Sequence, residues 1–221
     1  MRRDLTELEK QGLLRRTHGG ALPLSGTSFE PSFGQKSGEQ VEEKRRIGTA
    51  AASLVRDGET IILDAGTTTM EIARALSGRR DLTVVTNSLS IAAELAAMEG
   101  VHVILTGGDL RKNTMALVGP AAESFLHTIT VDRVFLGING IDPERGLTTP
   151  NLLEAATKRA MVRAASEVVV VADHTKLGRV TFAHVAELEQ VDRIVCDEPS
   201  GDRAAEKRAL AARLKVPILW A

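Results

Sequence analysis

Thiols are almost absent from this 221-residue chain: its one cysteine is Cys196. That excludes an internal disulfide framework and fits a reducing cytoplasm, where the chain is expected. Net charge is nearly absent as well. The 28 Lys and Arg residues face 29 Asp and Glu, a formal charge of −1, so no global basic field announces nucleic acid. No stretch approaches the roughly 18 continuous apolar residues of a membrane helix, and the N-terminus lacks a signal peptide's apolar core. The histidines (18, 102, 127, 174 and 184) are scattered with no cysteine cluster to join them, so no metal is expected. Neither a G-x-G-x-x-G fingerprint nor a G-x-x-x-x-G-K-[ST] loop occurs, which disfavours dinucleotide and nucleoside-triphosphate sites of those kinds. No cofactor is expected.

What is present divides into three regions. Residues 1–22 carry Arg2, Arg3, Lys10, Arg15 and Arg16 against Asp4, Glu7 and Glu9. Leu5, Leu8 and the pair Leu13–Leu14 fall near helical spacing, with Gly12 where such a helix could stop. No capping residue precedes Met1. Arg2 and Arg3 sit where a helix dipole is already positive by roughly half a charge. Residues 23–42 are rich in Pro, Gly and Ser without sustained periodicity, the composition of a linker. From Glu43 to the end, short β-rich runs (ETIILDA, LTVVTNS, VHVILTGG, VDRVFLGI, SEVVVVAD, VDRIVCD) mostly alternate with helical stretches, and VPILW suggests a last strand. Nearly continuous apolar runs indicate strands buried on both faces, with the helices as covers. The expected class is α/β with a mostly parallel sheet flanked by helices.

In such sheets ligands bind beyond the carboxyl ends of the strands. The richest loop there is ILDAGTTTMEIARAL. A strand runs out at Asp64, Gly66 lets the backbone approach a ligand, and Thr67, Thr68 and Thr69 lead into a helix. Three hydroxyls beside unpaired N–H groups favour an anion, and a phosphate monoester is the natural guest. The plainer alternative is one threonine capping the helix while the others face water. Asn87 closes the next strand, where it or Ser88 is equally suited to capping a helix. Gly107–Gly108, Gly137 and Gly140 follow two further strands, as ligand approaches or mere turns. In VVVVADHTKLG, Asp173 and Lys176 end a buried strand, a placement more often functional than a surface pair, with a solvated Lys176 as the alternative. Together these loops describe a pocket for a small phosphorylated polar ligand.

The succession RRDLxxLExxGLLxRxHGGA, then EKxxIGxxAAxLVxDGxTIxLDxGTTT, VVTNSL, GGxLR, FLGxNGID and VVVxADxTKxG resembles the DeoR family of bacterial sugar-metabolism repressors over nearly the whole chain. The resemblance implies an N-terminal winged helix-turn-helix and a C-terminal sensor domain with a ribose-5-phosphate-isomerase-like fold that binds a phosphorylated sugar or related metabolite. Residues 1–11 then look like most of a recognition helix and LLRRTHGGAL like the wing hairpin, with the preceding helices lacking. On this reading Arg2, Arg3, Arg15, Arg16 and His18 face operator DNA, which accounts for arginines at a helix start. Residues 43–221 form the sensor, with Asp64, Gly66, Thr67, Thr68, Thr69, Asn87, Gly108, Gly140, Lys158 and Lys176 as its effector-binding residues, and the family pattern favours a homo-oligomer. The alternative is a sugar-phosphate isomerase on the same fold, which needs a carboxylate base near its substrate. Counting back from Asp173 by the spacing implied for those enzymes lands on Lys158, a cation, and Gly137-Ile138-Asn139-Gly140 stands where they carry carboxylates. Glu154, one turn before Lys158, is the remaining base candidate; its plainer reading is an i,i+4 pair with Lys158 on the helix surface. No catalytic residue is expected.

Overall fold

A computed structural model describes residues 14–17, 20–23 and 26–221. Strands β1 (Leu14–Thr17) and β2 (Gly20–Pro23) pair antiparallel as a hairpin, where the wing was expected, and Arg15 and Arg16 fall on β1. The expected recognition helix over residues 1–11, with Arg2 and Arg3, lies outside the described residues, as does His18.

The expected linker is not featureless. Helix α1 (Phe33–Ser37) stands inside it, and α2 (Val41–Ala52) begins before its end. The cause of α1 is local: the Ser32 hydroxyl accepts from the Gln35 N–H at 3.3 Å, and the Ser32 N–H donates to the Gln35 side chain at 2.8 Å. This is a reciprocal capping box, which satisfies donors the helix start would otherwise leave open.

Thereafter the chain runs β3 (Thr60–Leu63), α3 (Thr67–Ala75), β4 (Leu82–Thr86), α4 (Leu89–Leu95), β5 (Val101–Leu105), the hairpin β6 (Asp109–Arg111) and β7 (Ala116–Val118), then α5 (Pro120–Leu126). It continues through β8 (Val131–Gly137), β9 (Gly140–Asp142), β10 (Gly146–Thr149), α6 (Leu152–Ala164), β11 (Ala165–Val171), β12 (Ala183–Ala186), β13 (Arg193–Cys196), α7 (Ala204–Arg213) and β14 (Ile218–Trp220). Seven strands form one parallel sheet in the order β14-β13-β11-β8-β3-β4-β5, and β12-β10-β9 form a small antiparallel sheet. The α/β class read from the sequence is the observed one.

Burial alternates along the central strands. Ile62, Val134, Leu136, Val170 and Ile194 join the core beneath α6, whereas Ile61, Leu63, Phe135, Val169 and Val195 join the core beneath α2 and α3. Both faces are dry, hence the nearly unbroken apolar runs. Each fully buried aliphatic or aromatic side chain contributes about 1.5–3 kcal/mol. On α2 the buried stripe is Lys44, Ile47, Gly48, Ala51 and Ala52, a helical period with a lysine in it. At Gly48 a Cβ would come within 2.5 Å of the Glu71 Cβ, so its lack of a side chain lets α2 lie close against α3. No helix among the described residues is long and apolar enough to cross a membrane.

Candidate functional site

The strand order locates the site. From β3 the chain steps outward through β4 to β5, then returns to place β8 on the other side of β3 and continues outward to β14. The connections therefore diverge between β3 and β8, which opens a crevice at the carboxyl ends of these strands. Asp64 stands there at the end of β3. It is 1% exposed; one carboxylate oxygen accepts from the Gly137 N–H at 3.0 Å, and from the Lys158 ammonium, which reaches in from α6. Lys158 also donates to the Gly137 carbonyl at 2.9 Å. Burial pushes the Asp64 carboxyl up, and Lys158 opposes that rise. Asp64 and Lys158 thus join β3, β8 and α6 beneath the crevice.

Above them lies a cavity of about 80 Å³. The first turn of α3 enters its wall with Gly66, Thr67, Thr68 and Thr69. No side chain caps that helix start: the Thr69 hydroxyl donates to the Gly66 carbonyl at 3.0 Å, Thr68 and Thr69 are buried, and Thr67 is half-buried. The threonines therefore neither cap the helix nor all face water. Gly66 is extended, with φ 176°, a conformation open to any residue, so its lack of a side chain, rather than its backbone freedom, is what favours close approach.

Beyond β11, the Asp173 carboxylate accepts from the Thr175 N–H at 3.1 Å and from the Thr175 hydroxyl, and pairs with Lys176 at 3.3 Å. Burial alone would raise Asp173, but Lys176 and the hydrogen bonds from Thr175 outweigh it and hold the carboxyl below its ordinary range. Lys176 lines the cavity with Lys158.

Besides Asp64, which lies beneath the cavity and not in its wall, three expected ligand contacts stand elsewhere. Asn87 accepts from the Ala65 N–H at 2.7 Å and donates to the Leu117 carbonyl at 3.2 Å, so its amide is spent in joining the β3 loop to β7. Ser88 caps α4, accepting from the Ile91 N–H at 3.2 Å. A Cβ on Gly108 would lie 2.5 Å from the Val118 carbonyl oxygen, and one on Gly140 would lie 2.2 Å from that of Arg179. These glycines permit backbone packing and do not line the cavity.

The structure adds residues that strand-end reasoning missed. Pro31, Phe33, Lys36 and Glu39 of the supposed linker line the cavity, with Lys44 from α2. Lys44, 6% exposed, donates to the carbonyls of Glu39, at 2.5 Å, and Lys36. The signal for Lys44 was its place in the apolar stripe of α2. Glu154 and Lys158, read as an i,i+4 surface pair, are both buried and turn to different partners. Glu154 accepts from Arg111 at 2.5 Å and from Thr114 at 2.6 Å, and Arg111 also pairs with Glu30 at 2.7 Å. Glu154 is thereby committed to a structural network, a poor posture for a proton-transferring base. Among the described residues no group of His, Cys, Asp and Glu is disposed to hold a metal.

Comparison with known proteins agrees with this architecture. Residues 39–198 match the model for the DeoR C-terminal sensor domain, and residues 1–27 match the DeoR-like helix-turn-helix domain. The chain is 48% identical over 197 residues to the HTH-type transcriptional regulator GlpR of Haloferax volcanii, covering 89% of this chain and 77% of the relative. It is 36% identical over 199 residues to the glycerol-3-phosphate regulon repressor of Escherichia coli, covering 90% and 79%. Among solved structures, eIF2B delta from Chaetomium thermophilum superposes with a TM-score of 0.51 at 18% identity, over 72% of this chain and 56% of that one, a likeness of fold alone. The chain belongs to the DeoR family: it is a transcriptional repressor with a sensor domain.

Proposed function

We propose that the cavity is the effector site of this repressor, that it takes a small phosphorylated sugar or polyol, and that its occupancy governs binding to operator DNA. The observation that carries this reading is the uncapped start of α3, with its three threonines, set in a wall shared with Lys36, Lys44 and Lys176. Open N–H groups, the helix dipole and nearby ammonium groups all favour an anion. The Escherichia coli relative, named for a glycerol-3-phosphate regulon, agrees with that ligand class. Asp64 acts from below, orienting Lys158 rather than touching the ligand.

The DNA-binding module comprises the β1–β2 hairpin and the residues before it, with Arg2, Arg3, Arg15, Arg16 and His18 toward the operator. Operators of two-fold symmetry call for paired modules, and so for a homo-oligomer. The effector shifts operator affinity by the difference in its own affinity for the two arrangements of the protein, and DNA shifts effector affinity equally.

The test is calorimetric titration with a panel of sugar and polyol phosphates, each beside its unphosphorylated parent, with product formation followed in the same samples. One charge-assisted hydrogen bond contributes about 1.5–3 kcal/mol. Two or more of them should separate each binding phosphate from its parent by roughly a hundredfold or more. Lys176→Met should weaken the phosphate ligand and, by stripping buried Asp173 of its ammonium partner, lower stability as well, so thermal unfolding is measured beside the titration. Failure of every phosphate to bind would refute the site, and turnover would make the chain an enzyme.

A further inference from the structure

Residues 29–40 run between the hairpin and the sensor domain and lie against the cavity. Near their start, Asn113 donates to the Glu30 carbonyl at 3.2 Å, Phe33 donates its N–H to the Asn113 carbonyl at 2.8 Å, and Glu30 pairs with Arg111. Near their end, Lys44 holds the carbonyls of Lys36 and Glu39. Lys36 stands at the second of these anchor points, its carbonyl held by Lys44 and the residue itself in the cavity wall.

The cations of that wall are not equivalent. Lys158 is committed to Asp64, Lys176 to Asp173, and Lys44 to two carbonyls. Lys36 and Arg179 have no hydrogen-bond or ion-pair partner for their side chains among the described residues, and of these two only Lys36 belongs to the connecting segment. Burial lowers the Lys36 ammonium below the usual lysine range, with Glu30 and Glu154 opposing. Lys36 is half-buried, and an ammonium partly withdrawn from water without an acceptor is left in deficit, which a bound anion relieves.

We infer that Lys36 is a phosphate-binding residue of the effector site, and that through it cavity occupancy sets how firmly the segment leading to the DNA-binding module is docked. The inference rests on the effector reading of the cavity. A contact from Lys36 exists only while its segment lies against the cavity, so it gives the ligand different affinities for docked and undocked forms. That difference is the requirement for any ligand-driven shift. Without an anion, the half-buried, unpartnered ammonium adds nothing to hold the segment in place. With one, Lys36 joins α3, α6 and the segment around a common charge.

Hydrogen exchange of the amides in residues 29–40 tests this, measured on the 221-residue chain while inorganic phosphate is titrated against chloride at matched ionic strength. Phosphate binding is followed calorimetrically in parallel. Phosphate should slow exchange in the segment roughly tenfold or more. Lys36→Met should lose that slowing together with about tenfold or more in phosphate affinity, while Lys36→Arg retains both. Thermal unfolding of each variant separates lost binding from lost structure. A Lys36→Met protein that binds phosphate and slows its segment as the wild type does would overturn the inference and leave the effector site standing. Wild-type binding without slowing would overturn the coupling. Neither binding nor slowing in the wild type would refute the effector site and the inference together.

Discussion

Replacing Lys158 by Met should destabilise the sensor domain severely, in a manner that depends on pH. Asp64 and Lys158 are 1% and 4% exposed, and Asp64 receives one backbone donor, the Gly137 N–H, besides the ammonium. Methionine fills much of the lysine's volume but leaves the carboxylate short of a partner and the Gly137 carbonyl without its 2.9 Å donor. Breaking a buried pair on one side costs about 3–5 kcal/mol. In a domain of this size that lowers Tm by roughly 6–20 °C. Burial already pushes Asp64 up, and loss of Lys158, the main opposing influence, raises it further. A carboxyl whose folded pKa exceeds its unfolded value contributes stability that is full below the unfolded value and lost as pH rises through the folded one. The deficit of Lys158→Met should therefore be greatest on the alkaline side and shrink on acidification. Urea unfolding at a series of pH values reads this directly. In the double variant Asp64→Leu/Lys158→Met, which replaces the pair by apolar groups, most of the loss should return. A deficit under about 1 kcal/mol at neutral pH, or one flat with pH, would refute the argument.

Two further outcomes are expected. Gly140→Ala should cost about 1–3 kcal/mol in chemical denaturation, because the new methyl lies 2.2 Å from the Arg179 carbonyl oxygen and 2.6 Å from the Thr148 hydroxyl; a neutral effect would show that this corner yields. Asp173 is held below its ordinary range, so its stabilisation is present above the unfolded carboxylate value and lost as pH falls through the depressed one. Asp173→Asn should accordingly cost roughly 1–3 kcal/mol at neutral pH and flatten the acid limb of the stability curve, whereas an unchanged limb would remove Asp173 from that linkage.

The parallel strands were legible because each reports its own surroundings. The VVVV of β11 and the IIL of β3 are apolar at every position since both faces of these strands are covered. That the threonines after β3 and the Asp173–Lys176 loop line one cavity was legible because the loops at the carboxyl ends of parallel strands share one edge of the sheet. Harder to read were α5, only seven residues long and opened by Pro120, and the strands β9, β10 and β12, of three to four residues each. Segments so short carry too few residues to establish a period. The capping box of α1 was written in Ser32 and Gln35, but the Pro, Gly and Ser around it read as linker. Asn87, Gly108 and Gly140 stand at strand ends as ligand residues do, yet hydrogen bonding and close backbone approach occupy them.

By itself the sequence determined the class of fold, the resemblance to a repressor family and which strand-end loops carry polar groups, all of which depend on periodicity, spacing and local chemistry. Tertiary structure alone decided which groups meet. Asp64 and Lys158 are 94 residues apart and come together because the chain turns back beside β3 after reaching β5, whereas Glu30 and Arg111, 81 apart, meet where the β6–β7 hairpin lies against the stretch before α1. Contacts with that hairpin and with Lys44 bring Lys36, in a stretch whose composition suggests only a solvated connection, to the wall of the cavity. Charges distant in sequence interact only once the sheet order has placed them within a few ångströms and excluded the water between them.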